Sequence, residues 1–350
     1  MPIQIRRDEP APEMAVMLVQ TRTYAPPRFR RGSRLIRVLA WAGLLGLTGF
    51  LVHAEVQRSE VPDGVEASFD IVYRRTGDRE AKLDVYVPIA EAPAGGRPVI
   101  LAIHGGGWRG GSKTNFGRMA ARLTRHDYVV VSVEYLLSKP GSPSWPANFE
   151  DVREAVRWVR RHADDYGIDP DRIVAMGASA GGHLSALLGT YPDGPVAAEG
   201  LPLPRAGTPA TTKAVSARVQ AVIDLYGPAD LRGLMESREQ TGGPLHLFLG
   251  GGPGRFPGRF EAASPVRHVS SDDPPMLLIH GADDPLVPVA QSEALASALK
   301  SAGVPHRLIV IEGARHAFGL EVGGRDLVPE VIAFLDAAWK DEGKALPDGQ

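Results

Sequence analysis

From residue 65 onward, short apolar runs alternate with longer stretches in which apolar positions recur every three or four residues. Residues 68–73 and 83–87 alternate apolar and polar side chains around a Gly77-Asp78 turn, which predicts an antiparallel hairpin of half-buried strands. The runs at 98–103 and 275–279 are continuously apolar, as is typical of parallel strands buried on both faces. Further strands are predicted at 128–133, 172–176, 219–226 and 306–311.

Residues 146–166 carry the helical counterpart of this pattern. Val152, Val156 and Val159 recur at spacings of three and four, with arginines mostly on the other side, which predicts a long amphipathic helix. Shorter helices are predicted at 115–125, 183–188, 289–302 and 327–339. Alternating strands and helices predict one α/β domain over residues 60–345, with a mostly parallel central sheet covered by helices on both faces. Residues 191–215 and 228–272 show neither pattern, and the second stretch is expected to form a lid or a pocket wall.

The N-terminal part of the chain differs from the rest in composition and charge. Residues 1–34 are rich in proline and arginine and predict a basic, disordered tail. Residues 38–52 contain no charge, but the run is short for a bilayer span, which needs about 20 residues. Residues 35–54 therefore predict either a signal peptide cleaved after Ala54 or an uncleaved membrane anchor. In both cases the basic flank places the following domain outside, so we expect an exported protein, either secreted, periplasmic or anchored to the cell membrane.

Composition excludes several classes of protein. A net charge of −2 gives no reason to expect a nucleic-acid partner. The absence of cysteine excludes a disulfide framework, a thiolate metal site and a cysteine nucleophile. No spacing of His, Asp and Glu resembles a metal site such as HExxH, so we predict no metal and no cofactor. The oligomeric state stays open.

The best candidate nucleophile is Ser179, in Gly177-Ala178-Ser179-Ala180-Gly181. A G-x-S-x-G pattern between a strand and a helix places the serine on a sharp turn, where only small neighbours let the chain fold back. The hydroxyl then lies at the helix N-terminus, which favours developing negative charge. The structural alternative is a glycine-rich turn with a surface serine.

A serine hydroxyl needs a base to take its proton, and the base needs an acid to fix its tautomer. His316 follows the last predicted strand and Asp284 follows the preceding one, so both are expected at the sheet edge where Ser179 lies. Asp283 is a competing acid, but only Asp284 combines a following proline with an Asp-x-x-Val spacing. Two further histidines, His183 and His280, are interpreted as packing or capping residues.

A glycine run, His104-Gly105-Gly106-Gly107, follows the strand at 98–103. Backbone N–H groups of Gly106 and Gly107, together with that of Ala180, are predicted to form an oxyanion hole, and each such donor contributes roughly 3 kcal/mol to lowering the barrier. His104 is expected to be a scaffold residue. Trp108 is expected to line the substrate pocket, or alternatively to pack beneath the loop.

These motifs together resemble the α/β-hydrolase superfamily, in the branch of small esterases around hormone-sensitive-lipase-like carboxylesterases and feruloyl/acetyl-xylan esterase-like enzymes. The resemblance covers residues 65–340 and is carried by residues 104–111, 166–173, 177–184, 263–265, 274–281 and 313–318. It implies an α/β-hydrolase fold and a serine carboxylic ester hydrolase that acts through an acyl-enzyme on a small-molecule ester. A small pocket beneath a short lid region favours short-chain acyl or acetyl esters. One departure is Glu134-Tyr135-Leu136, where many relatives carry Asn-Tyr-Arg, so the shape of the substrate stays open.

Two other functions remain possible from the sequence. A serine peptidase or amidase uses the same fold, although peptidases of the prolyl-oligopeptidase type add a large N-terminal propeller for which 350 residues leave no room. A non-catalytic binding protein could also be built on a hydrolase fold. Such proteins typically lose a member of the triad, whereas Ser179, Asp284 and His316 are all present.

Overall fold

An eight-stranded sheet forms the centre of the computed structural model, which describes residues 61–196, 215–237 and 243–340. The strands are β1 Val65–Thr76, β2 Arg79–Pro88, β3 Arg97–Ile103, β4 Val129–Val133, β5 Ile168–Ala178, β6 Ala221–Leu225, β7 Met276–Gly281 and β8 His306–Ile311. Their spatial order is β1-β2-β4-β3-β5-β6-β7-β8. The β1/β2 and β2/β4 pairs are antiparallel, and the other pairs are parallel.

Helices cover both faces of this sheet. They are α1 Gly117–Leu123, α2 Ala147–Arg161, α3 Ala180–Thr190, α4 Leu231–Glu236, α5 Pro244–Leu249, α6 Pro257–Ala262, α7 Ala290–Ala302 and α8 Val328–Lys340. Along β3, alternate side chains enter two separate cores, because successive residues of a strand point to opposite faces. Helices α2, α3 and α7 pack in one core, and α1 and α8 pack in the other. The predicted α/β architecture is confirmed.

The structure corrects one prediction and extends others. Residues 228–272, predicted to be irregular, contain α4, α5 and α6, which have six residues each and are too short to show a helical period. The strand before Ser179 begins at Ile168 rather than at residue 172. A small hairpin, β9 Glu321–Val322 and β10 Arg325–Asp326, was not predicted.

Part of the sequence prediction lies outside the described residues. This holds for the tail at 1–34, for the signal or anchor segment at 35–54, and for most of the predicted loop at 191–215. Among the helices of the described ranges, none combines the length and the apolar character needed to cross a bilayer.

A close contact between α3 and the sheet brings the site together. A Cβ atom on Gly181 would lie 1.9 Å from the carbonyl oxygen of Ile103, at the end of β3. A Cβ atom on Gly177 would lie 2.3 Å from the backbone of Gly181. Only glycine at these two positions allows the first turn of α3 to lie against the ends of β3 and β5.

The loop that follows β3 is held at its far end by a buried ion pair. Lys113 is 2% exposed, and its Nζ lies 3.0 Å from Asp84 Oδ1 and 2.9 Å from Asp70 Oδ1. Ser132 Oγ donates to the carbonyl of Lys113 at 2.6 Å. Because a buried ammonium is costly without partners, these contacts keep the end of the loop against strands β2 and β4.

We expect Gly181→Ala to lower the free energy of unfolding by more than about 2 kcal/mol, since overpacking against rigid backbone typically costs about 1–3 kcal/mol. Gly254→Ala is the matched control, because a Cβ there has no atom within 4 Å. That control should change stability by less than about 0.5 kcal/mol. Urea unfolding followed by circular dichroism measures both, and equal stabilities would contradict the close contact.

Candidate active site

Ser179 lies in the sharp turn between β5 and α3. Its φ of 55° and ψ of −119° are strained for a residue with a side chain, at a cost of about 1–3 kcal/mol. Two backbone hydrogen bonds hold this conformation: Ser179 N–H donates to Leu225 O at 2.8 Å, and Ser179 O accepts from His183 N–H at 2.9 Å. The turn therefore joins the sheet ladder to the first turn of the helix and places the serine at the helix N-terminus.

The structure brings three of the predicted residues into one hydrogen-bonded chain. His316 Nε2 lies 2.9 Å from Ser179 Oγ, and His316 Nδ1 lies 2.6 Å from Asp284 Oδ2. His316 is in the loop after β8, and Asp284 is in the loop after β7. A carboxylate only accepts, so the proton of the neutral imidazole is on Nδ1 and Nε2 is free to accept from the serine hydroxyl.

The side chain of Asp284 is fully buried among donors. Its Oδ1 accepts from the N–H groups of Leu286 at 2.8 Å and Val287 at 2.9 Å. Burial by itself raises the pKa of the Asp284 carboxyl, but the hydrogen bonds from His280, His316 and these two amides lower that pKa well below its usual range. The carboxylate is therefore charged at any pH near neutrality. The competing Asp283 is exposed and is not part of the hydrogen-bonded chain of Ser179, His316 and Asp284.

His280, interpreted from the sequence as a packing or capping residue, also contacts the acid. It is fully buried, and its Nε2 lies 2.8 Å from Val287 O and 3.4 Å from Asp284 Oδ2. Because Val287 O can only accept, Nε2 carries the proton and Nδ1 accepts from Ser292 Oγ at 2.7 Å. The one sequence signal was its position at the end of β7, four residues before Asp284.

Tyr226 was not identified from the sequence. It follows β6 with a φ of 46°, and its ring centre lies 4.8 Å from that of His316 in an edge-on arrangement. Its hydroxyl donates to the carbonyl of Phe318, and the two rings are 4.5 Å apart. Tyr226 therefore holds the loop that carries His316 against the end of the sheet. Its place as the last residue of the strand predicted at 219–226 was the available signal.

The backbone of the glycine run lies against the nucleophile. A Cβ on Gly105 would be 2.8 Å from Ala178 O and 3.4 Å from Ser179 Cβ. Gly106 and Gly107 have φ values of +118° and +59°, in the region that favours glycine. Within the described ranges, no hydrogen bond occupies the N–H groups of Gly106, Gly107 or Ala180. These amides remain able to donate to a substrate oxygen.

His104 anchors the glycine run at its start. It is 1% exposed, and its ring stacks on that of Tyr135 with 4.2 Å between the centres. The Tyr135 hydroxyl donates to His104 O at 2.8 Å. Burial lowers the pKa of His104 to about 4, so this imidazole is neutral near pH 7. Its contacts are those expected of a scaffold residue.

Trp108 does not line an open pocket. It is 4% exposed, and its ring stacks on Phe248 of α5 with 4.5 Å between the centres. The expectation of a pocket-lining tryptophan is therefore corrected in favour of the alternative, a ring that packs beneath the loop. The physical reason is that α5, which the sequence pattern did not reveal, covers it.

Metal ligation has no support in the part of the chain that the structure describes. No group of three or more His, Asp or Glu side chains there could hold a metal ion. The polar groups around Ser179 instead supply a nucleophile, a base, an acid and free backbone donors, which together suit acyl transfer.

Comparison with known proteins agrees with this geometry. The BD-FAE family model matches residues 83–299, which is 217 of the 350 residues. The chain belongs to the BD-FAE family. Esterase LipQ of Mycobacterium tuberculosis is 34% identical over 263 residues, covering 73% of this chain and 59% of LipQ. The chain therefore spans about three fifths of the length of this relative.

Two solved structures are similar over almost their whole length. A truncated carbohydrate esterase from gut microbiota has a TM-score of 0.66 and 27% identity, covering 79% of this chain and 97% of the other. The thermophilic esterase Est2 of Thermogutta terrifontis has a TM-score of 0.61 and 29% identity, covering 85% of this chain and 100% of Est2. The resemblance to small esterases of the α/β-hydrolase superfamily is confirmed.

The lowered pKa of Asp284 predicts a pH dependence of stability. In the unfolded chain this carboxyl takes a proton near its ordinary pKa of about 4, whereas in the folded protein it stays ionised to lower pH. Its contribution to stability is therefore complete above about pH 5 and is lost as the pH falls, because the unfolded state binds the proton first.

We expect the difference in unfolding free energy between the wild-type protein and Asp284→Asn to shrink from pH 6 to pH 3.5. Urea titrations at each pH measure it. Ser179→Ala retains the carboxyl and should follow the wild-type pH dependence. A difference that stays constant or grows toward low pH would show that Asp284 is not held in its charged form.

Proposed function

We propose that this protein is a serine carboxylic ester hydrolase that acts through an acyl-enzyme. The observation that carries the proposal is the hydrogen-bonded chain from Ser179 Oγ through His316 to Asp284, at distances of 2.9 and 2.6 Å. Unoccupied backbone donors lie at the same edge of the sheet. Family membership and the esterase names of its relatives support the same chemistry.

In the first half of the reaction, Ser179 Oγ attacks the ester carbonyl while His316 Nε2 takes the hydroxyl proton. Asp284 keeps the proton on Nδ1 and stabilises the imidazolium that forms. The carbonyl oxygen becomes an oxyanion and accepts from the amides of Gly106, Gly107 and Ala180. Because these amides belong to a folded turn and to the start of a helix, little reorganisation opposes the step.

In the second half, the tetrahedral intermediate collapses and the alcohol leaves with the proton from His316. The acyl group remains on Ser179 as an ester. Water then enters, gives a proton to His316 and attacks the acyl carbon. The second oxyanion that forms accepts hydrogen bonds from the same three amides. The free acid departs and Ser179 regains its proton. The chain supplies the nucleophile, the base, the acid and the oxyanion donors of this cycle, and solvent supplies the water.

The substrates we propose are acetyl or other short acyl esters of small molecules. One support is steric: α5 begins beside the glycine run, where a Cβ on Gly107 would lie 3.2 Å from Pro244 Cβ. Little room is left over that part of the loop for a long acyl chain. A second support is that Est2 has been solved with propionate and with butyrate bound.

We expect the full chain to hydrolyse p-nitrophenyl esters, with kcat/KM falling from acetate to decanoate. Ser179→Ala should lower kcat/KM by a factor of about 10⁴ or more, because the attacking atom is lost. Ser301→Ala, an exposed serine whose hydroxyl bonds to Ser297 O, is the matched control and should retain activity. Absorbance of released p-nitrophenol measures all three.

The same assay separates the alternatives. Faster cleavage of p-nitroanilides than of the matching esters would favour a serine peptidase or amidase. A folded wild-type protein that neither cleaves esters faster than Ser179→Ala nor reacts with a fluorophosphonate probe would favour a non-catalytic binding protein.

We propose further that residues 35–54 direct export of the catalytic domain. The uncharged run at 38–52 behind an arginine-rich flank supports this, as do the small residues at Val52 and Ala54, where a signal peptidase would read the chain. Export as a secreted or periplasmic protein and retention by an uncleaved anchor both remain within this proposal.

We expect the full chain, tagged at its C-terminus in a bacterial host, to be accessible to protease added to spheroplasts. Cleavage after Ala54 would give a soluble form beginning at Glu55 by N-terminal sequencing, whereas an anchor would give the full length in the membrane pellet. Full-length protein in the cytoplasm, protected from protease, would contradict export. A version lacking residues 35–54 is the control and should remain protected.

A further inference from the structure

His183 links three segments around the candidate active site. It lies on α3, four residues after Ser179, and it is fully buried. Its Nδ1 lies 3.2 Å from Trp108 Nε1 in the loop after β3. Its Nε2 lies 2.7 Å from Ala263 O, just after α6. One imidazole thus joins the nucleophile helix to the glycine-rich loop and to the segment that covers it.

The partners of His183 determine its protonation state. Ala263 O can only accept, so Nε2 must carry a proton, and the indole N–H of Trp108 can only donate, so Nδ1 must have a free lone pair. The neutral Nε2–H form alone satisfies both contacts. Burial lowers the pKa of His183 to about 4, which keeps this form dominant near pH 7.

Trp108 is well placed to transmit this contact to the oxyanion donors. It follows Gly107 directly and has a φ of 56°, an unusual value for a tryptophan. Its carbonyl accepts from Ser138 N–H at 2.7 Å, and its ring stacks on Phe248 and lies edge-on to His183. Because the carbonyl and the ring of Trp108 are both held, the peptide group between Gly107 and Trp108 has little freedom to rotate.

We propose that His183 is a positioning residue for the oxyanion hole, acting through its hydrogen bond to Trp108. The amide of Ala180 belongs to the first turn of α3, and the amide of Gly107 belongs to the loop. The His183–Trp108 bond connects those two segments and therefore sets the spacing between their donors. This inference rests on the ester hydrolase proposed above and adds a residue that never touches substrate.

Two substitutions can separate the two hydrogen bonds of His183. Asn is shorter, and its Oδ1 can take the place of the imidazole Nδ1, so His183→Asn keeps an acceptor for Trp108 and loses the donor to Ala263. Gln reaches the place of Nε2, so His183→Gln keeps a donor for Ala263 and loses the acceptor for Trp108. Each leaves one buried polar group unpaired, so both should lose similar stability.

The test compares an ester with its thionoester, in which sulfur replaces the carbonyl oxygen and accepts hydrogen bonds poorly. A well-formed oxyanion hole favours p-nitrophenyl acetate over p-nitrophenyl thionoacetate. For His183→Gln we expect kcat on the ester to fall about 10- to 100-fold with KM within about twofold, since misplaced donors cost transition-state binding. The ester-to-thionoester ratio of kcat/KM should fall with it.

The matched variant and a double-mutant cycle complete the experiment. His183→Asn should keep the wild-type ester-to-thionoester ratio, at a melting temperature close to that of His183→Gln. Trp108→Phe keeps the ring stack and removes the N–H, so as a single variant it should lower the ester-to-thionoester ratio. It should lower the ratio no further when combined with His183→Gln, because both remove the same bond.

Clear outcomes would overturn the proposal. A wild-type ratio in both His183→Gln and Trp108→Phe would show that the bond does not position the donors, with the esterase itself intact. An equal loss in His183→Asn and His183→Gln would show a structural role alone, and if His183→Gln fails to fold, Trp108→Phe decides. If the proposed ester hydrolase function were itself wrong, the result would differ, because the wild-type protein would then cleave the ester no faster than Ser179→Ala.

Discussion

The structure depends on how closely helix α3 approaches the ends of strands β3 and β5. At Gly181 a single added carbon would lie 1.9 Å from a carbonyl oxygen of β3. Because the helix meets the sheet at that distance, Ser179 is forced into a positive φ and the loop after β3 lies beside it. Ser179 and the donors Gly106 and Gly107 thus come from segments that are far apart in sequence but share one rigid contact.

Burial and hydrogen bonding together set the protonation states of the groups around this contact. His104 and His183 are neutral because they lie in the interior, where a charged imidazole would lose its hydration. Asp284 is equally buried by its side chain, yet it stays charged because imidazole and amide donors surround it. The interior therefore holds its scaffold histidines neutral and its acid ionised, which is the state in which His316 can accept a proton.

The segment Glu134-Tyr135-Leu136, where the family resemblance implies Asn-Tyr-Arg, is held through its backbone. Leu136 contributes its backbone N–H to Asp151 Oδ2 at 2.9 Å, a contact that does not depend on its side chain. Arg74 and Arg79, from the first hairpin, donate to Asp151 Oδ1 at 2.8 and 2.7 Å. The buried carboxylate is thus paired by side chains from the antiparallel edge of the sheet, and that edge is tied to the start of α2.

The sequence by itself determined the order of the eight sheet strands and of helices α1, α2, α3, α7 and α8, the turn at Ser179, and the roles expected of Asp284 and His316. The elements and the turn are local features, because apolar periodicity reports burial of a nearby face and a strand-turn-helix motif needs only adjacent residues. The two roles followed from the order of the residues after successive strands. The tertiary structure alone decided that α5 covers Trp108, that Tyr226 supports the His316 loop, and which distant segments His183 and His280 bond. Trp108 and His183 are 75 residues apart, and Tyr226 and Phe318 are 92 apart. Such contacts leave no periodic trace, because they depend on which strand ends the fold makes neighbours.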